Sequence, residues 1–382
     1  MPWKVANMMS LRQEFVALAR QEDANISMLC TRFGISRKTG YKLLHRVAEE
    51  GCAGVVERSR RPLHHPNRTP SIAETMVIEL RQQHPAWGAR KLHRRLLDLG
   101  HSGIPTPSTI TRILKRHGLI DAQASQDSTP WTRFEHAHPN DLWQMDFKGH
   151  FETATQTCHP LTIIDDHSRY NVVLQACHRP DRHHVQSTLQ DVFRRYGMPL
   201  RINVDNGSPW GSPAKHGHGI TTLTIWLIQL GIQVTHSRPA HPQTNGKNER
   251  FHRSLKREVL QNRYFQDLVQ AQHAFDLWRH IYNHERPHEA VAMHTPGTRY
   301  TPSRIAYPEQ LPSIHYRDSD VIMEVGWDGK ILIQGRSFKV SNALHRHLIA
   351  ARADPSMDGV FDLYFGHQRF DRIDLRRPDM TD

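Results

Sequence analysis

Between residues 142 and 236 short apolar runs alternate with amphipathic stretches in one order, and that order limits the fold more than any other feature. Residues 142–147 read as a strand. Trp143, Met145 and Phe147 share one face and Gln144 and Asp146 the other, the two-residue period of a half-buried strand. Residues 161–164 make a second strand and 171–177 a third. Val185, Leu189, Val192, Phe193 and Tyr196 then recur at helical spacing before Gly197. Residues 200–204 form a fourth strand that ends in Asp205-Asn206-Gly207. A helix over 223–230, a strand near 233–236 and a loop over 239–246 lead into a long helix from about Lys247 to Val259. A chain of 382 residues has room for two or three domains, and this middle one has α/β character.

Three strands followed by β/α alternation is the order of a ribonuclease-H-like sheet. In such a sheet, one acid in a strand, one just past a strand end and one on a facing helix converge. Asp146, Asp205 and Glu249 form that set, separated by 59 and 44 positions. Clustered carboxylates need Mg²⁺ or Mn²⁺ to offset their repulsion. Two such ions per site activate a water or hydroxyl and stabilise the leaving oxygen of a phosphodiester.

The segments DLWQMDFKG (141–149), IIDDHSRY (163–170), INVDNGSPW (202–210), HPQTNGKNERFHRSLKRE (241–258) and YNHERPHEAV (282–291) resemble the integrase catalytic core of bacterial insertion-sequence DDE transposases, in the retroviral-integrase superfamily. The likeness covers roughly residues 130–300, with the motifs in the family's order. It implies that Asp146, Asp205 and Glu249 are the catalytic and metal-binding triad. It also implies that Arg253 and Lys256 lie on the DNA-facing side of the helix after Glu249, and that 242–246 is a mobile active-site loop. Residues 208–219 lengthen the stretch between Asp205 and Glu249 and read as a loop insertion.

Other residues compete for these roles. If the first two strands pair around a turn near 154–155, Asp165 sits opposite Gln144, diagonal to Asp146 and within reach of the metals. The alternative for Asp165 and Asp166 is turn capping and a structural pair with Arg169. The 29 histidines show no four-ligand zinc spacing. Trp210, Trp226 and Trp278 read as packing residues. Asn283 to His288 fix a helix end, although Arg286 is equally placed in sequence to contact DNA.

Lys and Arg exceed Asp and Glu by 12. The excess is +9 in residues 1–130, +5 in 131–306 and −2 in 307–382. A basic first third points to a polyanionic partner, and its pattern is that of a tandem helix-turn-helix. Residues 11–20 form an amphipathic helix, Ser27 caps a short one that Gly34 stops, and Ser36 caps another running to about Glu50. The apolar stripe of that last helix is Tyr41 or Leu44 with Val47 and Ala48. Arg37, Lys38, Thr39 and Lys42 project from its first turns towards a major groove. A second copy begins with Ser71 as a cap and resumes over 89–99 with Arg90 and Lys91. It ends in a helix over 109–117 that bears Arg112 and Lys115. The connector 57–62, with Arg58, Arg60 and Arg61, makes a basic arm suited to phosphates or a minor groove.

From Val321 the pattern is strand-like (321–325, 331–333, 338–340, 361–365 and 370–373), as in a small β-barrel. Its acidic balance favours subunit contacts over DNA. No run approaches ~18 apolar residues, the N-terminus lacks a signal-peptide pattern, and four cysteines without CxxC spacing argue against a disulfide framework.

The expected fold is multi-domain: an all-α tandem helix-turn-helix N-terminus, an α/β ribonuclease-H-like catalytic core and a small all-β C-terminal barrel. The expected boundaries are 1–56, a basic linker at 57–70, 71–120, a linker at 121–138, a core at 139–306 and a barrel at 315–377. The resemblance implies a bacterial cytoplasmic, nucleoid-associated enzyme. It would bind terminal inverted repeats in double-stranded DNA and perform 3′-end cleavage and strand transfer as at least a homodimer. A DNA-binding regulator on a degenerate core is disfavoured by the intact acidic set. A hybrid-specific nuclease is disfavoured by the two reading modules.

Overall fold

The computed structural model describes residues 8–58, 69–120, 135–211, 220–237, 246–261 and 263–376. The chain divides into two compact units, residues 1–68 and 69–382.

The first unit is three helices, α1 (Met8–Ala19), α2 (Ile26–Arg32) and α3 (Arg37–Glu50). They close on Phe15, Val16, Cys30, Ile35, Leu43 and Val47. Asn25, not Ser27, caps α2, accepting from the Met28 N–H at 3.1 Å. Ser36 caps α3 as expected, accepting from the Thr39 N–H at 3.2 Å. The buried stripe of α3 is Gly40, Leu43 and Val47. Tyr41, about 100° round the helix from Gly40, is 58% exposed, and Ala48 is exposed too. Gly40 is required by close approach, because a Cβ there would stand 2.5 Å from the Cys30 Sγ.

The second unit opens with α4 (Ser71–Gln83), α5 (Ala89–Asp98) and α6 (Pro107–Arg116). These pack on Trp87, Leu92, Leu96, Ile110 and Leu114. Pro70 occupies the N-cap of α4, so Ser71 is its first helical residue rather than its cap.

The α/β core follows: β1 (Trp143–Phe147), β2 (Phe151–Glu152), β3 (Thr157–Asp165), β4 (Asn171–Cys177), α7 (Arg182–Tyr196), β5 (Arg201–Val204), α8 (Thr222–Gln229), β6 (Gln233–His236), α9 (Gly246–Leu255) and α10 (Leu268–His284). A wide π-type turn at Lys256–Leu260 continues α9. The sheet runs β2-β3-β1-β5-β6, with β4 also on β3. Pairs β1–β3 and β3–β4 are antiparallel, and β1–β5 and β5–β6 are parallel. One face packs Trp143, Met145, Leu161 and Ile163 against Val185, Leu189, Phe193 and Trp226. The other packs Ile164 and Leu174 against Phe251, Leu255, Phe275 and Trp278.

The register differs from expectation by one residue. β2 and β3 pair as a hairpin around 154–155, Glu152 opposite Thr157. Between β1 and β2 the backbone kinks at Gly149, φ +83°, and the pairing slips. Trp143, not Gln144, therefore faces Asp165, and Asp146 faces Thr162. A one-residue slip exchanges the faces of a strand, so Asp165 leaves the face that carries Asp146.

The C-terminal strands are β7 (Val321–Glu324), β8 (Lys330–Ile333), β9 (Arg336–Lys339), β10 (Leu348–Ala353), β11 (Val360–Phe365) and β12 (Gln368–Asp374). Among the described residues they make a four-stranded sheet, β12-β11-β10-β7, and a separate β8–β9 hairpin, without a closed ring of pairing. They are not detached from the core: Val325, Ile331, Leu363 and Phe365 join the cluster of Trp143 and Trp226. The Gln368 amide brackets the outer edge of β6, accepting from the Val234 N–H and donating to the Val234 carbonyl, both at 2.8 Å. The edge is thereby covered by the same chain. Among the described residues no helix is long and apolar enough to cross a membrane.

Candidate active site

Asp146 lies on β1 and Asp205 directly after β5. These strands are parallel neighbours with Gln144 beside Asn203. Continued two residues, the register sets Asp146 level with Asp205, on tracks about 4.8 Å apart. Both are half-buried. Glu249 is exposed in the first turn of α9, a helix that packs on β1 and β3.

The helix is tied to the sheet beside Asp146. The Thr162 hydroxyl donates to the Asp146 carbonyl at 2.9 Å and stands 2.8 Å from His252 Nε2. Burial, helped by Lys148, pushes the His252 imidazole down to about 3, so it stays neutral. With the Thr162 proton given to the Asp146 carbonyl, the neutral imidazole carries its proton on Nε2 and donates it to the Thr162 oxygen. His252, one turn beyond Glu249, is thereby fixed opposite the first aspartate. Lys148, two residues after Asp146, has its ammonium lowered by burial and by nearby Lys256.

Asp205 is held by its own loop. Its Oδ1 accepts from the Gly207 N–H at 3.0 Å and from the Trp210 indole N–H. His236 Nδ1 lies 3.0 Å from the Asp205 carbonyl, and the Asn206 amide donates to the Ser237 carbonyl at 2.9 Å. Asp205 thus presents one oxygen committed to the protein.

The donors in this set are hard carboxylate oxygens, which suit Mg²⁺ or Mn²⁺. Among the described residues, no three acidic, His or Cys side chains stand together as a ready-made metal cluster. The pairing of β1 with β5 leads the two aspartates out on neighbouring tracks, and the Glu249 carboxylate lies in solvent. Residues 242–245, all of the expected mobile loop but Gly246, lie outside the described residues.

The rival carboxylates are structural. Asp165 is fully buried on the opposite face from Asp146. It accepts from the Asn140 N–H, the Ser168 N–H and the Ser168 hydroxyl, and burial keeps its carboxyl above the usual range despite them. Asp166 accepts from the Gln144 amide and the His136 N–H and pairs with Lys247. Arg169 pairs with Glu135 at 3.0 Å rather than with either aspartate. Arg286 is buried and donates to Glu258 at 2.9 Å and to Ser254 at 3.1 Å. Trp278 donates to the other Glu258 oxygen, so the 283–288 motif locks α10 to the turn after α9.

Of the cations expected to meet DNA, Arg37, Lys38, Lys42, Arg90, Arg112, Lys115, Arg253 and Lys256 are exposed, and Thr39 is half-buried at the α3 cap. Arg58 pairs with Glu50. Arg60 and Arg61 lie outside the described residues. Lys91 is half-buried in the seam between α5 and the core. There burial lowers its ammonium to about 8, beside Arg286, Glu258 and Glu289. Arg95 extends that seam with a 2.6 Å bond to Glu285.

Sequence reasoning passed over Lys148 and His252 and read Trp210 as packing alone. His252 did carry a signal, since it falls one turn after Glu249.

Models of the integrase core domain match residues 136–242 and 230–296. A helix-turn-helix domain matches 11–62 and a homeodomain-like domain 39–114. The C-terminal domain of IS481 family transposases matches 320–381. An insertion element IS476 protein of Xanthomonas euvesicatoria is 27% identical over 61% of this chain and 66% of its own length. An insertion element IS407 protein of Burkholderia multivorans is 24% identical over 64% and 87%. The transposase for insertion sequence element IS904 of Lactococcus lactis is 27% identical over 43% and 62%. Among solved structures, a chain of the simian T-cell lymphotropic virus intasome is 17% identical, with a TM-score of 0.37 over 78% of this chain and 96% of its own. The chain thus carries an integrase core domain and a C-terminal domain of the IS481 transposase type, and its relatives are named as insertion element proteins and transposases.

Proposed function

We propose that the protein binds the terminal inverted repeats of an insertion sequence, cleaves DNA at their 3′ ends and joins the freed 3′-hydroxyl to a target strand. The observation that carries this reading is the parallel pairing of β1 with β5, Gln144 beside Asn203, which leads Asp146 and Asp205 out on neighbouring tracks, with the helix of Glu249 pinned to β1 and β3 through Thr162 and His252. Asp146, Asp205 and Glu249 would hold two divalent ions, Mg²⁺ or Mn²⁺. Such ions, when bound, lower the pKa of an attacking water or 3′-hydroxyl and stabilise the departing oxygen.

The chain's own residues do the rest. Lys148 and Lys256 flank Asp146 with positive charge and draw the phosphate backbone towards it, and exposed Arg253 extends that path. Exposed Arg37, Lys38 and Lys42 on α3, with Arg112 and Lys115 on α6, hold the repeat. Thr39 lies beside them at the cap of α3. Phosphate contacts set register and a few base contacts set specificity. Two ends cut and joined together require at least two copies of the chain.

The reading is tested on DNA carrying the ends of the element that encodes the protein. Nicking at the ends is expected with Mg²⁺ or Mn²⁺ and none in EDTA. Nicking that persists in EDTA, or none under any metal despite end binding, would overturn it.

A further inference from the structure

Trp210 falls in the stretch that the sequence presents as a loop insertion, yet the structure gives it two partners, both at the carboxylates. Its indole N–H donates to Asp205 Oδ1. Its ring stacks on Phe147, the residue after Asp146, with centroids 5.3 Å apart and planes 19° from parallel. The side chain is 1% exposed and belongs to the main core, so its position is set by packing. The loop is shaped to deliver it. The Gly211 N–H bonds the Gly207 carbonyl at 2.7 Å, and a Cβ on Gly211 would stand 2.2 Å from the Asn206 carbonyl oxygen. Residues 205–211 are thus one closed turn with Asp205 at its start and Trp210 beneath it.

We propose that Trp210 is a positioning residue that fixes the rotamer of Asp205 and its spacing from Asp146. Two N–H donors, from Gly207 and Trp210, occupy Oδ1 and leave Oδ2 as the metal-facing oxygen. A carboxylate held this way does not rotate to present the wrong oxygen. Because the same ring lies on Phe147, β1 and the end of β5 shift together or not at all. This inference rests on the reading of Asp205 as a metal ligand.

The test is Mn²⁺ binding to the full chain without DNA, measured by calorimetry, alongside the Mg²⁺ dependence of end cleavage. Trp210→Phe keeps an aromatic ring on Phe147 and removes the N–H. Replacing Trp210 with its benzothiophene isostere removes the N–H with no change of shape, and so covers the case in which W210F is poorly folded. Both are expected to weaken Mn²⁺ binding about tenfold and to raise the Mg²⁺ needed for half-maximal cleavage by a similar factor. Thermal unfolding of the isostere should match the parent. Asp205→Asn serves as the reference and should weaken Mn²⁺ binding further. Parent-like Mn²⁺ binding in both Trp210 variants, with D205N impaired, would overturn the positioning role and leave the metal site standing. Unchanged Mn²⁺ binding in D205N would overturn the metal assignment itself, and the role of Trp210 with it.

Discussion

In the first helical unit, α3 exposes Arg37, Lys38 and Lys42, whereas in the second, α5 turns Lys91 and Arg95 towards carboxylates of the core, with Arg95 bonded to Glu285 at 2.6 Å. The two helices read alike in sequence: both are short, amphipathic and rich in cations. Ile281 of α10 packs on the apolar cluster of α4–α6, and Arg94 lies 3.4 Å from His294. Apolar periodicity determines which face of a helix is buried in its own bundle. It does not determine what the remaining cations meet, because that depends on carboxylates nearly two hundred residues away. The cations of the α4–α6 bundle expected to meet DNA that remain exposed are Arg90 on α5 and Arg112 and Lys115 on α6.

The largest expected effect on binding separates the two helices directly. Combined Arg37→Ala, Lys38→Ala and Lys42→Ala should cost end-binding affinity on the order of a hundredfold near 0.1 M salt and flatten the salt dependence by about two to three log units per log unit. Lys91→Met should leave affinity within about twofold. Mobility-shift titrations at several salt concentrations would decide it, and a large binding loss in K91M would break the distinction.

A smaller effect sharpens the seam itself. The Lys91 ammonium sits at about 8 in the folded chain, below the ordinary lysine value near 10.5. Between those pH values the unfolded chain holds the extra proton, so raising pH favours the folded state across that window. Urea midpoints of parent and K91M at pH 8 and 10 should show the parent gaining on the variant. Equal gains would mean that Lys91 is solvated after all.

Much of this was legible in the chain. Asn171–Cys177 is a strand at the expected bounds because its apolar run follows the turn that closes β3, and Gln233–His236 is one because β-branched Val234 and Thr235 follow the turn at Gly231. Asp146 was visible as an acid on the polar side of an alternating strand, and Asp205 as an acid at the end of another. What was hidden depends on non-local packing. β10 (Leu348–Ala353) carries Arg352 and three alanines, a weak strand signal rescued by pairing on both sides. The slip at Gly149, which moves Asp165 to the other face, follows from one positive φ that spacing does not reveal. Asn25 displaced Ser27 as a cap because either residue type serves. Trp210 was identifiable as buried, but its bond to Asp205 needed the closed turn between Gly207 and Gly211.

The central claim is that one site, made of Asp146, Asp205 and Glu249, cuts the DNA that other residues hold. Single-turnover cleavage of end-containing DNA by Asp146→Asn and Glu249→Gln, with end binding measured in the same samples, tests it most directly. The account predicts cleavage lowered by at least about a thousandfold, or ~4 kcal/mol of transition-state stabilisation, with affinity unchanged at low salt. Cleavage retained in both variants would contradict it.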